Sequence, residues 1–406
     1  MDDLAPQDSG HSKGSIGKLV AHSLRNIPNA PPVTLVFHKA SYMQQWLDSS
    51  QELTIVTDGF AEARGGYDAE LAVPMRREHQ RSIEPDQDEV RPYHQPQAAP
   101  GQAPSNPYEA SDAPITNLIV TTKAPSTVSA VSAVAHRLTR DSTILFLQNG
   151  MGTMEEVTAA IFPQESTRPN YMQGIITHGV NSTSLFSASH AGSGTIQLGI
   201  FPRKAVSVEM ANETIAGPDV QHVMWPKSSR YLLRTLTRAP ALCAVGLAPV
   251  DLLIAQLEKL AVNCVVNPLT ALLDVRNGGL LYNFNVTRVQ RLLLSEISLV
   301  IRSLPEFRGL PNLAERFSPE RLETLAVSVA ATTGANVSSM LADVRRGRQT
   351  EVEYTNGYIV KRGEEMGIRC ALNYLVMCLV RSKQNLVDRE MDEEMPVLRE
   401  TAHEDL

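Results

Sequence analysis

The sequence predicts a parallel α/β domain followed by an all-α domain. From Val33 to about Gly199, short β-rich runs alternate with segments of helical period, the pattern of strands joined by crossover helices. From about Asp251 onward the periodic segments are helical throughout. With 406 residues, two domains are expected, with room for an insertion.

Strands are expected at Val33–Phe37, Leu53–Val56, Asn117–Thr122 and Thr143–Leu147, from their Val, Ile, Leu and Thr content. Ser126–Leu138 has helical period and starts on Ser, a residue suited to a helix start. Met154–Phe162 reads as a helix and Gly174–Thr177 as a strand, and Thr195–Gly199 closes this half. The stretch Arg76–Pro114 contains H-Q-P-Q-A-A-P-G-Q-A-P-S-N-P. Rich in Pro and poor in apolar residues, it is expected to be an exposed, disordered insertion without a catalytic role. Helices are expected at Leu252–Leu273, Val286–Leu304, Pro319–Thr332, Thr350–Met366 and Ala371–Val387. The resulting division is a first domain over 1–205 with the insertion at 76–114, a connecting segment 206–250, a helical domain 251–387 and an acidic tail 388–406.

Composition narrows the function classes. With 43% hydrophobic and 20% charged residues the chain reads as an ordinary globular protein. A net charge of −7 gives no support for nucleic-acid or anionic-membrane partners. No apolar run approaches the ~20 residues that span a bilayer. Cys243, Cys264, Cys370 and Cys378 have neither zinc spacing nor the density of a disulfide framework, so no metal is expected. The N-terminus, M-D-D-L-A-P-Q-D, lacks a secretory core and a basic presequence. The reducing cytosol is the expected compartment, with a mitochondrial address left open should residues upstream of Met1 carry one.

The most informative stretch is Lys259–Gly278, K-L-A-V-N-C-V-V-N-P-L-T-A-L-L-D-V-R-N-G. Lys259, Asn263 and Asn267 recur every fourth residue, and at ~100° per residue they share one helical face. Their neighbours Leu260, Val262, Val265 and Val266 are apolar, so the helix is expected to be largely buried. A polar row on such a helix must be hydrogen-bonded to protein, water or ligand. A reaction that builds negative charge on an oxygen needs a proton donor beside that oxygen and polar groups that hold the reactant in place. A buried ammonium with a lowered pKa supplies the donor, which makes Lys259 the candidate general acid. The alternative is a lysine that snorkels from a helix end or pairs with Glu258 or Asp251. Asn267 precedes Pro268, so a kink is expected there.

A dinucleotide-binding domain opens with a strand running into G-x-G-x-x-G. Here S-K-G-S-I-G (Ser12–Gly17) precedes a helical run. Gly14 and Gly17 match the second and third glycines, flanking Ser15 and Ile16; Ser12 stands at the first. No strand-like run precedes them, so the first strand of a Rossmann-type sheet is expected to be missing. Either the N-terminus is incomplete or cofactor binding has been lost. Val33–Phe37, the second strand of such a sheet when the missing first is counted, ends in His38-Lys39 without an acidic residue, which favours the 2′-phosphate of NADP over the free ribose hydroxyls of NAD.

Three motifs, in order, resemble the ketopantoate reductase (2-dehydropantoate 2-reductase) family. They are L-Q-N-G-M-G at Leu147–Gly152, the Lys259–Gly278 block, and S-S-M-L-A-D followed by T-E-V-E-Y-T-N-G-Y within Ser338–Tyr358. The resemblance runs from about Gly14 to about Ser382. It implies an NADPH-dependent reduction of 2-dehydropantoate in a cleft between a Rossmann-type domain and a helical domain. It implies Lys259 and Glu351 as catalytic groups, and Asn263, Asn267, Asn277 and Ser339 as substrate contacts. It places the cofactor on Gly14, Ser15, Ile16, Gly17, Lys39, Lys123 and Asn149. Structural roles compete at several positions. Ser338 or Ser339 suits a helix cap, Thr350-x-x-Glu353 has the spacing of a capping box, and Asn277 lies in an ordinary N-G-G turn. A reductase of another small 2-oxo acid, or a scaffold without cofactor, is the alternative function. A homodimer is left open.

Overall fold

The computed structural model describes residues 14–72, 111–201 and 225–393, with side chains to 390. Ser12 and all but the last residues of the expected insertion lie outside them.

The first domain holds a divided parallel sheet. Strand β1 (Thr34–Phe37) pairs in parallel with β4 (Asp68–Leu71). Strands β5 (Asn117–Val120), β6 (Thr143–Phe146) and β7 (Asn170–Ile176) form a second parallel set. β10 (Ile196–Phe201) then adds antiparallel to β7, and β11 (Ala244–Gly246) adds parallel to β10. In a doubly wound sheet of order 3-2-1-4-5-6, β4 and β1 take places 3 and 2, and β5, β6 and β7 take places 4, 5 and 6. No strand among the described residues occupies the central place. Helix α1 (Ser15–Arg25) joins the two parts. Its Ala21 packs with Trp46, Leu53 and Tyr67 near β1, while Leu19, Val20 and Leu24 pack with Leu145, Leu147 and Met172 of the larger sheet. Every residue of β6 and β7 is buried, as befits strands covered on both faces.

Three expectations need correction. Leu53–Val56 forms a strand, β2 (Leu53–Thr57), but it lies in a separate four-stranded sheet with β3 (Phe60–Arg64), β9 (Ser187–Gly192) and β8 (Gly179–Ser182). Period alone does not report which sheet a strand joins. The stretch 206–250 is more than a connection: its described part supplies helix α5 (Lys227–Thr237) and β11, and Leu232, Leu236 and Leu242 are buried in the first domain's core. Thr350–Met366 is not one helix. A short 3₁₀ turn, Val352–Tyr354, is separated from helix α11 (Asn356–Glu365) by Thr355 at φ −111°, ψ −93°. The capping box does not form, because the Thr350 N–H donates to Gln384 Oε1 (3.0 Å) and Glu353 pairs with Arg381 (3.1 Å).

The second domain is built around helix α6 (Pro249–Leu273), 25 residues long. Leu257, Ala261, Cys264 and Val265 pack against Leu294, Ile297 and Ile301 of helix α7 (Phe284–Ser303) and against Phe317. The helix runs unbroken through Pro268. A proline nitrogen carries no hydrogen, so the carbonyl four residues earlier, Cys264 O, loses its helical partner. The Asn356 side-chain amide supplies the substitute, donating to Cys264 O at 2.9 Å and to Asn373 Oδ1 at 3.0 Å. Among the described residues no helix is long and apolar enough to cross a membrane. Replacing Asn356 with Leu orphans both buried acceptors. It is expected to lower unfolding free energy by roughly 1–3 kcal/mol for each, read as a lower urea midpoint at unchanged slope.

Candidate active site

The loop after β6 and the C-terminal end of β7 face α6. Ligands of open α/β sheets bind at this edge. Lys259, in the middle of α6, reaches across to it. Its Nζ donates to Asn149 Oδ1 (2.9 Å), in the loop after β6, and to the carbonyl of Ile176 (2.7 Å), the last residue of β7. Burial pulls the Lys259 ammonium down to about 8, against an opposing pull from Glu351. The alternative pairing with Glu258 does not occur, because Glu258 is engaged by Arg316 and Arg321 at 3.0 Å each.

The loop that carries Asn149 is fixed from the helical domain. The Met151 N–H donates to Tyr354 O (2.9 Å). Gly150 has φ +80°, and a Cβ there would fall 2.6 Å from Tyr354 atoms. Only glycine fits both the conformation and the close approach. Gln148–Met151, Gly174, Ile175, Gln256, Leu260 and Asn263 line a small pocket around Lys259, with a cavity volume of about 20 Å³.

A second charged group closes the cleft beside it. Glu351 is buried, and its Oε1 accepts the Ala124 N–H at 3.0 Å. Lys123, three residues beyond β5, lies 2.6 Å from buried Asp343 and 3.7 Å from Glu351 Oε2. Burial pulls the Lys123 ammonium down, but Glu351 and Asp343 outweigh it and hold it above the ordinary lysine value. Burial raises the Asp343 carboxyl above its usual range despite Lys123.

The other expected residues fall out as follows. Asn263 lines the pocket, and Asn267 sits one turn further along the same half-buried face of α6. Ser338 caps helix α10 (Ser339–Val344), accepting from Leu341 N at 3.1 Å, which leaves Ser339 exposed and free of the capping role. Asn277 is not brought into the pocket. Its Nδ2 donates to Thr333 Oγ1 (2.8 Å) and its backbone N–H to Asn336 O (3.1 Å), while its buried Oδ1 has no partner. Lys39 is exposed at the C-terminal end of β1, with Nζ 5.7 Å from the Tyr42 ring centre.

Gly14 precedes α1 at φ 84°, and a Cβ on Gly17 would lie 2.7 Å from Thr121 Oγ1, just beyond β5. The first-turn N–H groups of Ser15, Ile16 and Gly17 have no partner within the helix. A left-handed glycine, a close helix–strand approach and free N–H groups together fit a pyrophosphate.

Sequence reasoning did not single out Asp343, Gln148 or Gln256. Asp343 lay within a quoted motif, and Gln256 stands three residues before Lys259, the spacing of a shared helical face.

The chain matches known proteins over most of its length. The family model described as Ketopantoate reductase PanE/ApbA matches residues 13–203, and its C-terminal counterpart matches residues 251–384. A probable 2-dehydropantoate 2-reductase of Schizosaccharomyces pombe is 32% identical over 284 residues, covering 70% of this chain and 78% of that one. A ketoisovalerate reductase of Beauveria bassiana is 25% identical over 423 residues, covering 93% and 84%. Among solved structures, D-mandelate dehydrogenase with NADH and anilino(oxo)acetate superposes with a TM-score of 0.64 at 17% identity, covering 92% and 97%.

Replacing Lys123 with Met leaves the buried Asp343 and Glu351 without their shared cation. The folded-state pKa of Asp343, already raised by burial, then rises further above the unfolded one. Such a shift favours folding at low pH and is lost as pH rises. The stability deficit of Lys123→Met relative to wild type is therefore expected to be smaller at pH 5 than at pH 8, by denaturant titration at the two values.

Proposed function

The chain belongs to the ketopantoate reductase family of oxidoreductases, and on that premise we propose that it reduces 2-dehydropantoate to pantoate with NADPH, with Lys259 as general acid. The observation that carries this reading is the Lys259 ammonium in the interdomain pocket. It is held by Asn149 Oδ1 and Ile176 O and shifted to about 8.

Gly14–Gly17 would hold the pyrophosphate on the N-terminus of α1, and Lys39 would face the 2′-phosphate. Lys123 and Asn149 would line the cofactor side of the cleft. When bound, NADPH supplies the hydride to the carbonyl carbon. Lys259 acts on the carbonyl oxygen: its positive charge stabilises the oxygen as electron density moves onto it, and a proton passes from Nζ to complete the alcohol. Asn149 and the Ile176 carbonyl aim the ammonium by occupying two of its three donors, which leaves the third for substrate. Asn263, which lines the pocket, would orient the carboxylate and the remainder of the acid together with Asn267 and Ser339. Asn277, held by Thr333, acts from behind the pocket or not at all. Glu351 joins the domains and biases Lys259 toward its charged form.

Two outcomes test this. Lys259→Ala is expected to lower kcat/KM for 2-dehydropantoate by about 10²–10⁴-fold, followed as NADPH oxidation, while NADPH affinity stays unchanged. The reacting form is the ammonium, so wild-type kcat/KM should be level below its pKa of about 8 and fall as pH rises through it. Normal turnover by the alanine variant would end the mechanism. Separately, Lys39→Ala is expected to weaken NADPH and spare NADH in a fluorescence titration, because only the former carries a 2′-phosphate.

A further inference from the structure

We propose that His178 is a positioning residue for the proton donor: its imidazole, backed by His190, clamps the turn after β7 and so holds the Ile176 carbonyl where it aims the Lys259 ammonium. The inference rests on the reductase reading above and deepens it. β6 pairs with β7 only as far as Gln173, so Ile176 lies past the end of that ladder. On its other side β7 pairs with β10 as far as Ile176 and Ile196, and the Thr177 N–H donates to Thr195 O at 3.0 Å. The Ile176 carbonyl accepts from Lys259 Nζ at 2.7 Å. A bond to the last carbonyl of a strand is only as well placed as the turn that follows the strand.

His178 stands two residues beyond Ile176, is buried, and uses both ring nitrogens. Its Nδ1 accepts the Gly194 N–H at 3.1 Å, from the turn between β9 and β10. An amide N–H can only donate, so the ring hydrogen sits on Nε2, which donates to Leu242 O at 3.0 Å. His190 Nε2, on β9, lies 2.9 Å from the same His178 Nδ1 and is the donor there by the same argument. Burial and the His178 ring pull the His190 imidazole down, against Gly192 and Asp58. The two turns are also in direct contact. A Cβ on Gly194 would fall 2.5 Å from His178 N and from Thr177 C, and Thr177 Oγ1 accepts the Thr195 N–H at 2.8 Å. The turn is thereby tied to β9, to the β9–β10 turn and to Leu242. His178 does not line the pocket around Lys259, so it acts through Ile176. Small misplacements of a group that supports the reacting atoms are costly to rate, and an ammonium that loses a well-placed acceptor is easier to deprotonate.

The test compares wild type, His178→Ala and His178→Asn in the NADPH-dependent reduction of 2-dehydropantoate across pH. The ionisation of Lys259 is followed separately by NMR of isotope-labelled lysine, its signal assigned by its loss in Lys259→Ala. His178→Ala is expected to lower kcat by about 10–100-fold with KM little changed. The alkaline limb of kcat/KM and the Lys259 signal should both titrate at lower pH than in wild type, by about one pH unit. His178→Asn places an amide oxygen near the position of Nδ1 and keeps an acceptor for the Gly194 N–H. It should fall between the alanine variant and wild type on both readouts, and it carries the test if the alanine variant does not fold. A folded alanine variant with wild-type kcat and wild-type titration of Lys259, whatever its stability, would make the histidine pair a brace of the sheets alone and overturn the proposal. A raised KM at unchanged kcat would overturn it as well. A wild type that does not reduce 2-dehydropantoate would overturn the reductase reading, and the NMR titration would still decide whether His178 governs Lys259.

Discussion

The structure turns on enclosing one ammonium, that of Lys259, between two domains. A buried cation without a counter-ion is unfavourable unless acceptors surround it, and here they come from the other domain: the amide oxygen of Asn149 and the terminal carbonyl of β7. That requirement fixes much else. The β6 loop must stand where Asn149 meets α6, which Gly150 allows by passing tight against Tyr354. The β7 strand must end with a carbonyl free of the sheet ladder. α6 must stay helical long enough to carry Gln256, Lys259, Asn263 and Asn267 on one face.

That last condition is met in spite of Pro268. The carbonyl it strands is taken up by Asn356, which is tied through Asn373 to Glu296. Glu296 in turn accepts the Leu372 and Asn373 backbone N–H groups at the start of helix α12 (Ala371–Glu393). A single buried polar chain therefore connects α6, α7, α11 and α12. A network of this kind is favourable only when every member is satisfied, and here it holds α6 in register with the helices behind it.

Much of this was legible in the sequence because periodicity and spacing are local. Pro319–Thr332 reads as a helix from its Ser-Pro start and its periodicity, and Lys259, Asn263 and Asn267 share a face by arithmetic. Long-range choices were not legible. Nothing in Leu53–Thr57 says that it leaves the main sheet to pair with Ser187–His190. Thr350 and Glu353 have the spacing of a capping box, but Gln384 and Arg381 take them first. Asn277 has the same residue type as Asn263, and only packing separates them: Thr333 claims its amide, and the pocket does not contain it. The pairing of Lys123 with Asp343, 220 residues away, likewise has no sequence signature.

The two lysines of the cleft show how neighbours divide their roles. Lys123 and Lys259 both reach the same strand edge, and burial disfavours charge on each. Lys123 meets two carboxylates within 4 Å, which hold its ammonium above the ordinary lysine value. Lys259 is hydrogen-bonded by neutral oxygens and feels Glu351 only through space. Its charge is therefore weakly secured, and its proton is the one available near neutrality. Titratable groups whose environments drive their pKa values apart are the usual means by which a site separates a fixed charge from a proton donor. Glu351 takes part in both halves, through its contact with Lys123 and its field at Lys259. Its position therefore sets how far Lys259 falls: a Glu351 withdrawn from the cleft would leave Lys259 more acidic, and one drawn closer would fix it as a second inert cation.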